Sequence, residues 1–453
     1  MYIFLIEGSF CDRIMWVCSK VAVGGNTMNM MLKNGTLIDP ESKTMCIGDL
    51  YIRDGYIVDK DTFSQEEIDE VIDGSNQWIM PGFVDLHVHL REPGFEYKET
   101  IETGANAAAR GGYTTILAMP NTNPVADCVE VINYVYKKAE TASVRVLQIG
   151  AVTKGQLGIE LADLAQMIQA GIPAISEDGK SVANAGLYRD AMEIVAKQDI
   201  PVFAHCEDQN LVNGGVANAD EFTCNKGLKG ITNSVEDVII ARDIILAKET
   251  GVRLHLCHCS TQDSVEMIKR AKEEGLPITG EVCPHHFSLC SSEINKEDSN
   301  FKMNPPLRTR KDVQALIEGL STDVMDVIAT DHAPHSEEEK KQNFEQAPFG
   351  IVGLETAASL TYTYLVKPGY LTPLQMAEKM SLNPARIIRQ KTGGLSTGNK
   401  ADIVIFDPHR SYLIDPKKFE SKGRNTPFAG KNVFGIVTTT IYNGRVVYRE
   451  DEK

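Results

Sequence analysis

The sequence predicts an α/β protein: a (β/α)₈ (TIM) barrel with a small β-sandwich domain built from the N- and C-terminal segments. Three observations support this prediction. Eight apolar runs alternate with amphipathic helical patterns between residues 80 and 388, which is typical of a barrel of parallel strands. Both ends of the chain are rich in β-type runs separated by turn residues. The length of 453 residues suits one large barrel plus a small appended domain.

Residues 30–79 and 389–453 are predicted to form the small β domain together. The first segment contains the runs MLKNGTLID, GDLYIRDGYIVD and EVIDGSNQWIMPG. The second contains KADIVIFDP and VFGIVTTTIYNGRVVY. The Asn-Gly and Asp-Gly pairs in these runs predict hairpin turns.

Residues 1–29 are expected to be an N-terminal extension of unknown role. The apolar run YIFLI is broken by Glu7 and followed by Asp12 and Arg13, so it does not predict a secretory signal. A later translation start remains open at three methionines: Met28, Met30 and Met31.

The composition predicts a cytoplasmic protein that acts on a small molecule. Lys and Arg total 46 against 62 Asp and Glu, which gives a net charge of −16. Such an acidic chain is poorly suited to nucleic acid or to an anionic membrane. The ten cysteines are scattered without a Cys-x-x-Cys motif, which favours reduced thiols.

The barrel is predicted over residues 80–388. Its eight strands are expected in the runs GFVDLHVH, YTTILAMP, VRVLQIGAV, GIPAIS, IPVFAHC, VRLHLCHC, ITGEVCP and MDVIATD. The alternative is a doubly wound open sheet. Such a sheet usually carries a Gly-rich phosphate loop after its first strand, and the sequence has none there.

Polar side chains cluster at the carboxyl ends of these runs, where barrels of this kind build their active sites. In chain order they are His87, His89, Asn121, Glu177, Asp178, His205, His258, Asn304, Asp331, His332 and His335. Because these positions share one end of the barrel, we expect them to converge in space.

His87 and His89 are two residues apart on one strand, so their imidazoles point to the same side and can share a metal ion. The competing interpretation is a pair of hydrogen-bonded core histidines. The further histidines and carboxylates at the strand ends favour a metal, because these groups and water form the ligand set of hydrolytic zinc sites.

Other chemically capable residues are expected to be structural. Cys257 and Cys259 flank His258, and strand alternation points them away from it, toward the core. Three further histidines are expected to play supporting roles: His255, His285 and His286. The charged run SEEEKKQ, residues 336–342, predicts a solvated loop without chemistry.

Arg91 lies two residues beyond His89 on the same face of the strand. An arginine beside a metal centre is electrostatically unfavourable unless a substrate carboxylate compensates. The alternative is a salt bridge at the barrel rim with Glu92.

Seven motifs resemble those of dihydroorotases of the bacterial class I type, in the amidohydrolase superfamily: DLHVHLREPG, AMPNTNP, AHCED, CHCST, KMNPPLR, ATDHAPH and APFGIVGLETA. The resemblance covers residues 31–450. It implies two zinc ions and the reversible cyclisation of N-carbamoyl-L-aspartate to (S)-dihydroorotate in de novo pyrimidine (UMP) biosynthesis. It also implies a homodimer, and it leaves open an association with aspartate transcarbamoylase.

The resemblance implies a role for each site residue. The metal ligands would be His87, His89, Asp178, His205, His258 and Asp331, with Asp178 shared between both ions. Asp331 would also transfer protons, as the catalytic residue. Glu177 stands where the family often has a second aspartate, so its share in the bridging role is left open. The substrate would be held by Arg91, Asn121, Asn304, His335, Phe349 and Gly350.

Two alternative functions are left open by the sequence. Hydantoinases, dihydropyrimidinases and allantoinases resemble the chain in the barrel and the His-x-His pair. They generally have a bridging lysine and lack an arginine at the position of Arg91. A non-catalytic, dihydroorotase-like partner of aspartate transcarbamoylase would have lost metal ligands, whereas the expected set is complete here.

Overall fold

The computed structural model describes residues 28–62, 67–294 and 297–450. The N-terminal part contributes five strands to one sheet: β1 Met30–Asp39, β2 Thr44–Arg53, β3 Tyr56–Val58, β4 Glu70–Asp73 and β5 Trp78–Pro81. The Asp-Gly pair at 54–55 forms the turn between β2 and β3, as predicted. The hairpin predicted at the Asn-Gly pair 34–35 is wrong. This pair lies inside β1, where the register with β2 shifts between Leu32 and Gly35 to form a bulge.

The central part contains β6 Phe83–Val88, β7 Tyr113–Ala118, β8 Arg145–Gln148, β9 Gly150–Ala151, β10 Ile175–Ser176, β11 Val202–Ala204, β12 Ala217–Asn218, β13 Gly230–Ile231, β14 Leu254–Leu256, β15 Ile278–Val282 and β16 Val327–Ile328. Parallel pairing follows the orders β6-β7-β8 and β9-β10-β11-β14-β15-β16. β8 and β9 are halves of one strand interrupted at Ile149, whose amide donates to the Ala118 carbonyl at 3.0 Å. With these halves joined, every predicted run supplies one barrel strand.

The barrel closes between its first and last strands. A parallel bridge joins Val88 to His332. The amide of His89 donates to the carbonyl of His332 at 2.8 Å. The Asp85 carboxylate accepts from the amide of Thr330 at 3.1 Å. This seam therefore lies at the carboxyl end of β6.

Helices occupy the connections between the strands. They are α1 Ile101–Arg110, α2 Val129–Ala139, α3 Leu164–Gln169, α4 Ala185–Ala196, α5 Gln209–Val212, α6 Glu221–Lys226, α7 Ser234–Thr250, α8 Gln262–Glu273, α9 Pro284–Ser288, α10 Arg310–Ser321, α11 Glu337–Lys340, α12 Ala357–Thr361, α13 Pro373–Ala377 and α14 Asn383–Ile387. Thr100 caps the N-terminus of α1. Its hydroxyl accepts from the amide of Thr103 at 3.1 Å and so satisfies one free donor of the first turn. A π-helical turn, Tyr362–Val366, continues α12, and another, Glu378–Leu382, joins α13 to α14.

The main core lies between the barrel strands and these helices. Ile116, Ile175 and Val202 from the strands are fully buried in the same cluster as Ile132 and Leu316 from the helices. Each such side chain stabilises the fold by about 1.5–3 kcal/mol. This packed layer holds the strand ends in fixed positions.

The C-terminal part adds β17 Ile403–Leu413, β18 Asn432–Tyr442 and β19 Arg445–Arg449 to the first sheet. The sheet order is β19-β18-β17-β5-β1-β2-β3, with β4 also paired to β1. Ile405 of β17 pairs with Ile79 of β5, and β5 continues through Gly82 into the first barrel strand. The predicted α/β class, with a sheet from both terminal segments, is confirmed.

Most of the predicted extension, residues 1–27, lies outside the described residues. Of the helices in the described ranges, none is both long and apolar enough to cross a membrane. The eight cysteines at described positions are free thiols.

Candidate active site

The carboxyl ends of the barrel strands bring the predicted metal ligands together. These residues are all buried: His87, His89, Asp178, His205, His258 and Asp331. They belong to β6 or to the residues that follow β6, β10, β11, β14 and β16. Residues far apart in sequence therefore converge, as predicted.

His87, His89 and Asp331 form the first group of potential ligands. Asp331 Oδ1 lies 3.1 Å from His89 Nε2 and 3.7 Å from His87 Nε2. Asp178 approaches the same histidines, with Oδ1 3.1 Å from His87 Nε2 and Oδ2 3.5 Å from His89 Nε2. Both imidazoles therefore face the carboxylates from one side of β6.

His205, His258 and Asp178 form the second group. His205 Nδ1 lies 2.9 Å from His258 Nε2 and 3.3 Å from Asp178 Oδ1. His258 Nε2 lies 3.7 Å from the same oxygen. The Asp178 carboxylate thus stands between the two groups and contacts both.

This arrangement fits a divalent metal ion. Burial works to raise the pKa of Asp178, but the neighbouring histidines hold it well below its usual range. Although Asp178 Oδ1 and His87 Nε2 lie 3.1 Å apart, neither buried atom makes a hydrogen bond within the described residues. In the first group, the three potential ligand atoms lie within 4.8 Å of one another. Converging imidazole and carboxylate groups are ligands that such ions prefer.

Glu177 faces away from the candidate metal ligands. Its Oε2 accepts from the amides of Val152 and Thr153, both at 3.1 Å. Its Oε1 accepts from the Thr153 hydroxyl. Adjacent residues of an extended segment point to opposite sides, so Asp178 faces the histidines while Glu177 is anchored to the residues after β9.

Glu281 is a site residue that the sequence analysis missed. Its Oε1 lies 2.9 Å from His87 Nδ1, and its Oε2 lies 3.0 Å from His255 Nε2. The amide of His258 also donates to Oε1 at 3.1 Å. Such an outer carboxylate fixes the orientation of a ligating histidine. The sequence feature that could have indicated this role is an acidic residue inside the otherwise apolar run ITGEVCP.

Asn121 lies among the candidate metal ligands. Its Oδ1 is 2.9 Å from His89 Nδ1, and its Nδ2 donates to Asp178 Oδ2 at 3.3 Å. Its amide therefore orients one residue from each ligand group and keeps one N–H free of these contacts.

Arg91 and His335 form a basic pocket within electrostatic reach of two candidate metal ligands, Asp331 and Asp178. His335 Nε2 lies 2.8 Å from the Phe349 carbonyl oxygen, so this nitrogen carries the proton. Burial and the nearby cations lower the pKa of His335 below its usual range. It is therefore neutral, and its Nδ1 accepts from Lys98 Nζ at 3.4 Å. The Arg91 Nη2 lies 3.3 Å from His335 Nε2.

The alternative ion pair between Arg91 and Glu92 is wrong. Glu92 instead accepts from the Ile101 amide at 2.9 Å and the Tyr134 hydroxyl at 2.8 Å. It also pairs with Lys138 at 3.3 Å. Among the described residues, the Arg91 guanidinium donates through Nε to the Pro334 carbonyl at 3.2 Å. The nearby His335 Nε2 carries its own proton and cannot accept from Nη2, so both terminal nitrogens can bind a carboxylate.

Three site residues have left-handed backbone conformations. The φ angles are 63° at Arg91, 34° at His258 and 49° at Asp331. Non-glycine residues rarely adopt this region. Such strain is typical of functional positions that the surrounding structure holds in place.

Glycine is required at position 350 because the backbone there passes close to His335. Its φ is 125°. A Cβ atom there would lie 2.7 Å from Ala333 Cβ and 3.2 Å from His335 Nε2. The amide of Gly350 donates to the Lys302 carbonyl at 3.0 Å, which fixes this loop against the site.

The prediction of a solvated loop over residues 336–342 is wrong for Lys340. This residue ends the short helix α11 and is 8% exposed. Its Nζ donates to the carbonyls of Pro348 and Gly350, both at 3.0 Å. Lys340 therefore supports the loop that carries Phe349, because these carbonyls offer it hydrogen bonds that replace water.

Asn304 follows β15 and is half-buried. Its Nδ2 donates to Glu207 Oε2. His286, predicted to play a supporting role, lies 2.9 Å from the Pro305 carbonyl oxygen through Nε2 and so holds the backbone next to Asn304.

Known proteins are similar to the chain in both sequence and fold. A family model described as "Dihydro-orotase-like" matches residues 76–264. A dihydroorotase of Pelotomaculum thermopropionicum is 48% identical over 423 residues, which cover 93% of this chain and 99% of the relative. A dihydroorotase of Thermoanaerobacter sp. is 47% identical over 427 residues, with 94% and 99% covered.

Two solved structures share the architecture at low identity. The L-hydantoinase of Arthrobacter aurescens has a TM-score of 0.83 and 24% identity, with 94% of this chain and 97% of that chain covered. The dihydropyrimidinase of Brevibacillus agri has a TM-score of 0.81 and 22% identity, with 93% and 95% covered. These likenesses support the barrel fold alone. The high identity to dihydroorotases along nearly the whole of both chains decides the family, and the chain belongs to the dihydroorotases.

Proposed function

We propose that the chain catalyses the zinc-dependent interconversion of N-carbamoyl-L-aspartate and (S)-dihydroorotate in de novo pyrimidine biosynthesis. The observation that carries the proposal is the basic pocket around Arg91, whose guanidinium lies within electrostatic reach of Asp331 and Asp178. The candidate metal ligands fit a site that hydrolyses a cyclic amide, and the basic pocket fits a site that binds a carboxylate on the substrate ring. The relatives named dihydroorotase support the same activity.

The proposed cofactor is a pair of zinc ions. His87, His89 and Asp331 would hold the first ion, His205 and His258 the second, and Asp178 would contact both. When bound, the ions would lower the pKa of a water molecule and polarise the amide carbonyl of the substrate.

The substrate is proposed to bind through its carboxylate and its ring. The Arg91 guanidinium would take the carboxylate with its two terminal nitrogens. The free N–H of Asn121 would contact the same group. His335 binds the Phe349 carbonyl and lies 3.3 Å from Arg91 Nη2, so it would place the Phe349 loop beside the guanidinium. The other ring contacts are assigned to Asn304, Phe349 and Gly350.

Asp331 is proposed to transfer the proton. In the hydrolytic direction, the water oxygen adds to the ring carbonyl carbon while Asp331 accepts a proton from the water. The ring C–N bond then breaks, and Asp331 gives the proton to the leaving nitrogen. This restores the Asp331 carboxylate and yields N-carbamoyl-L-aspartate. Cyclisation follows the same steps in reverse and releases water.

A zinc count and a dihydroorotate hydrolysis assay on one purified sample test the proposal. We expect two zinc ions per chain and turnover of dihydroorotate well above that of hydantoin or allantoin. Preference for hydantoin or allantoin would identify another cyclic amidohydrolase. A sample without zinc and without turnover would support the non-catalytic alternative. The homodimer and the association with aspartate transcarbamoylase stay predictions, which size-exclusion chromatography with and without that enzyme can test.

A further inference from the structure

Glu207 is a buried carboxylate beside the metal-binding groups that the proposed reaction does not use. It lies two residues after His205, and its side chain is 10% exposed. Its Oε1 accepts from Gln209 Nε2 at 2.6 Å. Its Oε2 lies 4.0 Å from His205 Nε2 and in close contact with Asn304 Nδ2.

The contact with Glu207 decides which end of the Asn304 amide faces Glu207. An ionised carboxylate accepts hydrogen bonds and donates none. The NH₂ group of Asn304 must therefore turn toward Glu207, and Oδ1 must turn away from it. Across the described ranges, Oδ1 makes no hydrogen bond to another residue. We propose that Glu207 is a positioning residue, which fixes the Asn304 amide so that the active site presents a hydrogen-bond acceptor at this position.

An acceptor at this position selects a substrate that carries an N–H group. This inference rests on the proposed function, because the dihydroorotate ring and the carbamoyl group of the open form both carry N–H groups. A site built to pair with such a group rejects an analogue that lacks it, since the site's own polar atom is then left unpaired. Glu207 would thus favour cyclic amides over cyclic esters of the same shape.

The variant Glu207→Gln tests this role. Glutamine donates as well as accepts, so the Asn304 amide is no longer held in one orientation. We expect kcat/KM for dihydroorotate to fall about 2- to 10-fold, mainly through KM, as for the loss of one neutral hydrogen bond between Asn304 Oδ1 and a substrate N–H. Metal content and Tm should match the wild type. Glu266→Gln, at a half-exposed position on α8, is the matched control and should keep wild-type kinetics.

A double-mutant cycle separates positioning from a general structural effect. If Glu207 acts through Asn304, then Glu207→Gln should cause little further loss in an Asn304→Ala background. Losses that multiply would overturn the inference, and so would wild-type kinetics in Glu207→Gln. Loss of metal from Glu207→Gln would also overturn it, because the residue would then act on His205. The wild type is assayed first, and a metal-loaded wild type without dihydroorotate turnover would refute the proposed function itself.

Discussion

Replacing Arg91 by methionine removes the guanidinium from the basic pocket while keeping an unbranched side chain. Nε is held by the Pro334 carbonyl, so the two terminal nitrogens are the groups available to a carboxylate. Each charge-assisted hydrogen bond is worth about 1.5–3 kcal/mol. Loss of both is therefore about 3–6 kcal/mol, which corresponds to a fall of about 10²- to 10⁴-fold in kcat/KM.

The assay compares dihydroorotate with dihydrouracil, which has the same ring without the carboxylate. We expect Arg91→Met to lose activity on dihydroorotate alone and to keep its metal. The kcat/KM of Arg91→Lys for dihydroorotate should lie between those of Arg91→Met and the wild type. Lysine keeps the positive charge but lacks the planar, two-nitrogen guanidinium. Arg270→Met, at a position on α8 with a 71% exposed side chain, is the matched control. An equal loss on both substrates, or loss of metal with an unchanged KM, would refute the reasoning.

Three further perturbations address the proton transfer, the metal and a buried acid. Asp331→Asn is expected to retain much of the metal and to lower kcat about 10²- to 10⁴-fold, because an amide cannot accept and return the proton. A near-normal kcat in the metal-loaded variant would exclude the role. Treatment with a chelator is expected to abolish turnover and to lower Tm, because a ligand that binds only the native state stabilises it. Added zinc should restore both, and continued turnover by a metal-free sample would contradict the proposal. Burial raises the pKa of Glu355 from 4.5 to about 7, although Arg110 and two backbone amides work against it. The native state then holds this proton more tightly than the unfolded chain, so stability should fall between pH 4.5 and 7 by about 3 kcal/mol relative to Glu355→Gln. Urea unfolding of both proteins across this range measures the difference, and parallel profiles would show that the shift is absent.

The barrel could be predicted because its strands are buried and therefore appear as short apolar runs. The run at residues 144–152 holds two half-strands that are interrupted at one residue, Ile149. The convergence of the candidate metal ligands followed from the barrel itself, since its strands end at one face. Their detailed roles came from the resemblance to dihydroorotases and not from spacing.

Features that depend on distant contacts could not be predicted. Lys340 lies in a charged run that is typical of a solvated surface, and only the folded loop places carbonyl groups around it. The Asn-Gly pair at 34–35 has the local pattern of a turn, but β2 continues to pair with β1 on both sides of it. The short pair β12 and β13 leaves no periodic pattern in sequence, because each strand has only two residues.

The seam between β6 and β16 links the metal site to the order in which the chain is synthesised. His89 and Asp331 face each other across this seam, although they are 242 residues apart in the chain. A nascent polypeptide that has not yet been synthesised as far as Asp331 contains only His87 and His89 of the first ligand group. An ion shared by these two residues would link the first and the last barrel strands to be synthesised. Metal capture would therefore require the finished barrel, and a loaded site would mark a chain whose barrel has closed.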